Sequence, residues 1–171
     1  MKYAPAREIL RFCAIFSAVR GSFSGEVAVR EDNRPKVMIF EDDPVILKLF
    51  KGLFVFNGHD VVSYSDPSKC PLLKDSLCEC QRESPCADVI IADMEMRNMT
   101  GLELFALQSK RGCKAPDGNK LLLGNKLTAE QQATILRLGC RFIRKPFNTY
   151  EIVKWMEACT RRLFEGGTAL H

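Results

Sequence analysis

Ala87-Asp88-Val89-Ile90-Ile91-Ala92-Asp93-Met94-Glu95-Met96-Arg97-Asn98-Met99-Thr100-Gly101 is the stretch on which the fold turns. Its short apolar run, Val89 to Ala92, stands between two carboxylates. β-Branched runs of this length read as buried strands, and strands apolar on both faces are typical of parallel sheets. Asp93 then falls at the C-terminal end of the strand, on the sheet edge where open α/β folds build their sites. A polar turn closed by Gly101 follows, and helical spacing begins at Leu102 and runs to about Lys110.

The same alternation extends in both directions. Upstream, Val37-Met38-Ile39-Phe40 reads as a buried strand ending in Glu41-Asp42-Asp43-Pro44, and Pro44 suits the first turn of the helix that follows. Asn57-Gly58 turns the chain into a strand around Val61 to Tyr64. Asp66-Pro67 has the form of an N-cap with proline in the first turn, so a helix is expected from there into a cysteine-bearing stretch, Cys70 to Cys86. Downstream, Leu121-Leu122-Leu123 is a fourth strand, and Thr128-Ala129-Glu130-Gln131 has capping-box spacing for a helix that Gly139 ends. Phe142-Ile143 opens a fifth strand, closed by Lys145-Pro146-Phe147. Asn148 caps a last helix with the stripe Ile152, Val153, Met156 and Cys159 and Trp155 at its side.

Five alternations of strand and helix imply an α/β fold, a parallel sheet doubly wound with helices on both faces. Residues 36–160 form this domain. Residues 1–35 read as an N-terminal extension, a short helix striped by Ile9, Phe12, Cys13, Phe16 and Val19 plus a linker, and residues 161–171 as a tail. With 171 residues there is enough chain for a full core. A net charge of +4 with both signs well mixed gives no footprint for nucleic acid. No run approaches the roughly 18 apolar residues that span a bilayer. Eight cysteines in such a composition are expected as reduced thiols, and the chain reads as cytoplasmic.

In a parallel sheet every strand ends on one edge. Glu41 and Asp42, Asp93 and Lys145 therefore converge there. Three carboxylates in one crevice call for a cation, and hard oxygen ligands suit magnesium. A lysine across the crevice can hold phosphoryl oxygens as a point charge. The layout fits a carboxylate that accepts a phosphoryl group.

These residues carry a resemblance. Val37 to Pro44, Asp93 to Leu102 and Gly139 to Phe147, in this order and at strand ends, resemble the receiver domain of two-component response regulators, of the stand-alone (CheY-like) kind. The resemblance implies the flavodoxin-like strand order 2-1-3-4-5. It makes Asp93 the phosphoacceptor for a histidine kinase or phosphotransfer protein. It makes Glu41 and Asp42 the acidic pair for Mg2+, with Asp93 and the backbone carbonyl of Glu95 completing the protein ligands. Lys145 matches the family's lysine, followed by a cis bond to Pro146, and Phe142 its aromatic switch residue. Asp43 is left as a helix-start acid.

The chain also departs from the family. A serine or threonine is expected at the end of the fourth strand, where this chain has Gly124 followed by Asn125. The missing hydroxyl would cost a charge-assisted hydrogen bond of roughly 1.5–3 kcal/mol. Asn125 could donate through its amide instead, and Thr128 is better read as a cap. Arg97 stands where the family usually has proline, a loop change of little expected consequence. Cys70, Cys78, Cys80 and Cys86 form a possible thiol cluster, with gaps of seven, one and five residues that match no zinc ribbon or ferredoxin pattern.

The expectation is a stand-alone receiver, not an enzyme, that signals by protein contact to a downstream target or as a homodimer. Its contact face would be the last helix and strand with the preceding helix, around Phe142. The alternatives are a degenerate receiver acting as a phosphorylation-independent binding or dimerisation module, and a cysteine-based redox or metal sensor.

Overall fold

A computed structural model of the chain describes residues 34–74, 80 and 83–165. They belong to a compact unit that begins at Arg34. Five strands lie in one parallel sheet: β1 (Lys36–Phe40), β2 (Asp60–Tyr64), β3 (Val89–Asp93), β4 (Lys120–Gly124) and β5 (Arg141–Arg144). Their order is β2-β1-β3-β4-β5, so β3 is central and the expected doubly wound topology is present. Five helices connect or follow them: α1 (Pro44–Phe56), α2 (Pro71–Lys74), α3 (Gly101–Lys110), α4 (Ala129–Leu138) and α5 (Thr149–Glu165).

Alternation along the strands divides the core in two. Val37, Ile39, Val89, Ile91, Leu121 and Leu123 face one way and pack with Phe50 and Phe54 of α1 and Ile152, Met156 and Cys159 of α5. Met38, Phe40, Ile90, Ala92 and Leu122 face the other way, onto Leu72 of α2, Leu104 and Phe105 of α3 and Ile135 of α4. This is why the central strand is apolar on both faces from Val89 to Ala92. No described helix is long and apolar enough to cross a membrane.

The helix expected from Asp66 is corrected. Asp66 does cap, accepting the Ser68 N–H at 2.8 Å, but only a 3-10 turn at Pro67–Lys69 follows. Cys70 turns to φ −52°, ψ 127°, the extended backbone that a following proline favours, and α2 restarts at Pro71 for one turn. At the other end α5 runs to Glu165, past the domain limit expected at residue 160. The reading of residues 1–33, the position of Cys78 and the tail after Glu165 lie outside the described residues.

The two aspartates of the opening stretch do unlike work. Asp88, at the start of β3, accepts the Lys36 N–H at 2.7 Å and so joins the beginning of β1 to that of β3. Only Asp93 belongs to the functional edge.

Candidate functional site

The parallel register places four side chains at the carboxyl edge of the sheet. Asp93 is the last residue of β3, Glu41 and Asp42 follow β1, and Lys145 follows β5. Oxygens of Glu41, Asp42 and Asp93 lie within 4.8 Å of one another. The Lys145 Nζ donates to Asp93 Oδ2 at 2.6 Å and stands 3.7 Å from Glu41 Oε2. The Glu95 N–H donates to the other Asp93 oxygen, Oδ1, at 3.2 Å. Asp93 is thus oriented from both sides.

Glu41 is the buried member, 1% exposed. Its Oε1 accepts the Asp43 N–H at 3.1 Å, whereas Oε2 is buried without a hydrogen bond. Burial pushes its carboxyl up to about 7, Asp93 adds to the rise, and the Asp43 N–H and Lys145 pull it down. A buried oxygen without a hydrogen bond, on a carboxylate clustered with two others, fits a hard divalent cation such as Mg2+.

Local structure explains why the chain can make this edge. Asp43 is an N-cap, accepting from the Val45 and Ile46 N–H groups at 2.8 and 3.3 Å, as the helix-start reading requires. Met94 and Met96 are buried and pin the loop after β3 to the core. That loop ends at Gly101 because α3 begins hard against β3. A Cβ there would run into the Asp93 carbonyl oxygen and the Leu122 side chain. Behind β5, the Lys145–Pro146 bond is cis, and the Phe147 ring stacks on Phe50 of α1 with centroids 5.5 Å apart.

At Gly124 the strand ends under other side chains. A Cβ would lie 2.7 Å from Met94 Cγ and 3.2 Å from Phe142 Cε2. The space for a hydroxyl-bearing side chain is therefore already filled. Asn125 does not face Asp93; its amide donates to both carboxylate oxygens of Glu95, at 3.1 and 3.2 Å. Thr128 is committed to its capping box with Gln131, both bonds being present. Arg97 is not a neutral loop change: its Nε lies 3.5 Å from Asp42 Oδ2.

Cys70 is buried, and its sulfur accepts from Gln108 Nε2 at 3.4 Å. Cys80 and Cys86 pack against the same core, joined by Cys113, which the sequence reading did not include. Among the described residues the only group of three or more candidate metal ligands is Glu41, Asp42 and Asp93.

Solved structures share this fold. The receiver domain of a Francisella response regulator superposes with a TM-score of 0.62 at 24% identity, over 76% of this chain and 99% of that one. The chemotaxis protein CheY4 of Vibrio cholerae gives 0.56 at 24%, covering 74% and 98%. A response regulator receiver domain protein from Clostridium thermocellum gives 0.58 at 18%, covering 75% and 95%.

The chain has the receiver fold.

No protein-family model matches it. No curated protein matches it either. The likeness is thus one of receiver architecture, reached with few shared residues. Within that receiver fold, the acidic cluster and Lys145 occupy the strand ends to which the sequence assigned them, and Met94 and Phe142 close over Gly124 at the end of β4.

Proposed function

We propose that this receiver accepts a phosphoryl group on Asp93 from a histidine kinase or phosphotransfer protein and passes the signal on by protein contact. The observation that carries the reading is the 2.6 Å bond from Lys145 to Asp93, with the Glu41 and Asp42 oxygens inside the same cluster. An oxygen of Asp93 attacks phosphorus and the P–N bond to the donor histidine breaks, its electron pair staying on the imidazole nitrogen. Lys145 holds one oxygen of the attacking carboxylate and faces the incoming phosphoryl oxygens, while the Glu95 N–H fixes the rotation of the carboxylate. Glu41, Asp42, Asp93 and the Glu95 carbonyl are the groups that would hold Mg2+. Bound there, the ion supplies neutralisation of phosphoryl charge. The chain is a signalling module rather than an enzyme, with a target protein or a second copy of itself as receiver of the signal.

A second reading is favoured by Gly124. Met94 and Phe142 occupy the place of the expected hydroxyl side chain, which supports a receiver that binds its partner without regard to phosphorylation. Acetyl phosphate with Mg2+ tests the first reading. A phosphoryl adduct by intact mass is expected on the wild-type chain and not on Asp93→Asn, and a wild-type chain that takes none sinks it. An adduct that leaves partner affinity and oligomeric state unchanged selects the second reading.

A further inference from the structure

Three carboxylates face two resident cations at the carboxyl edge. Lys145 serves Asp93 and Glu41, at 2.6 and 3.7 Å. Asp42 has a cation of its own, Arg97, whose Nε stands 3.5 Å from Oδ2. The two members of this pair differ in exposure: the Asp42 side chain is 21% exposed and that of Arg97 86%. Arg97 thus reaches from the loop after β3 across the mouth of the pocket, with most of its length in water. A proline at the same place would offer no charge there.

We propose that Arg97 is a resident counter-cation that competes with a divalent metal ion for Asp42. This rests on reading Glu41, Asp42 and Asp93 as a cation site. A guanidinium cannot yield by losing its proton, so the only way to free Asp42 is for the side chain to swing out. Exposure makes that movement easy. It also limits the strength of the pair, because exposed ion pairs are weak and screened by salt. The effect is therefore a graded penalty on metal binding and not a block. While Arg97 remains in place, its charge also opposes an approaching dication.

Lys145 cannot play this part, because it lies deeper, on the two carboxylates that Arg97 does not touch. The two cations divide the cluster: the inner one pairs with Asp93 and Glu41, and the outer one sets how readily the pocket accepts metal. The chain would then need more Mg2+ to fill the pocket than it would without Arg97, and any phosphodonor drawing on the metal would inherit that shift.

The test is a Mg2+ titration of the full chain by calorimetry at low ionic strength, with no phosphodonor present. Arg97→Ala should bind Mg2+ about three- to tenfold more tightly than wild type. Arg97→Lys, which keeps a charge on a flexible stem, should fall between them. Raising the salt should narrow the gap. Equal or weaker binding by Arg97→Ala overturns the inference alone, provided that wild type binds Mg2+. If neither protein binds Mg2+ while both show the same metal-free thermal midpoint, the inference falls together with the cation-site reading. Should Arg97→Ala fold less well, Arg97→Gln makes the same measurement, and tighter binding is required of it.

Discussion

Glu41 is held in a position that water would not choose for it. It is 1% exposed, one of its oxygens has no hydrogen bond, and Asp93 is a neighbouring negative charge. A carboxyl whose folded pKa is raised binds its proton more tightly in the folded state. Its contribution to stability is therefore complete below the ordinary value of 4.5 and is lost as pH rises through about 7. In the metal-free protein Glu41→Gln should remove this loss. It should be more stable than wild type by about 1–3 kcal/mol above neutral pH, with the difference vanishing in mild acid, as followed by denaturant unfolding at a series of pH values. The same variant should bind Mg2+ more weakly. A variant no more stable than wild type at high pH would show that Glu41 is adequately solvated. The trade is of the usual kind, in which a binding group is kept at the expense of fold stability.

Strand ends are where element and site meet. The side chains at Met94 just after β3, at Gly124 ending β4 and at Phe142 within β5 must share one small volume. Gly124 solves this by having none: Met94 lies across it from β3 and Phe142 from β5. Gly124→Thr, which would restore the hydroxyl the sequence lacks, should therefore destabilise the fold by about 1–3 kcal/mol through overpacking. Met94→Ala in the same chain should recover part of that loss, a coupling that a thermal-denaturation double-mutant cycle would measure. Additivity of the two changes would mean that Met94 does not fill the space. The helices were legible where their signals were local. Asp43, Thr128 and Gly139 cap or stop as their residue types predict, Gly139 at φ 67°. The stretch after Asp66 misled because its N-cap signal is genuine, while Pro71 resets the backbone at Cys70 after only a 3-10 turn. Capping chemistry marks where a helix starts and says little about how far it goes.

At the scale of the molecule, the site depends on side chains that never touch it. Phe147 follows the Lys145–Pro146 bond and stacks on Phe50, which is itself fully buried between α1 and the sheet. This contact ties the lysine-bearing loop to the helix that follows the acidic pair. Phe147→Ala should lower stability by about 1–3 kcal/mol and slow phosphorylation of Asp93 by acetyl phosphate, whereas Phe147→Leu should keep most of both. An alanine variant that loses stability but phosphorylates at the wild-type rate would show that the stack holds the fold without positioning Lys145.

The sequence alone determined the alternation of strands and helices, the parallel sheet, and the four charged residues at its carboxyl edge. Each of these follows from short-range periodicity and from the rule that parallel strands end together. What it could not decide is which neighbour each side chain meets there. Asp88 and Asp93 bound the same run, yet one ties β1 to β3 at the far edge and the other takes Lys145 as partner. Asn125 turned to Glu95, Arg97 reached Asp42, Met94 closed over Gly124, and Cys113 joined Cys70 and Cys80. These pairings link segments 30 or more residues apart in most cases, as for Asn125 and Glu95. They are set by the packing of side chains in three dimensions, for which periodicity carries no information.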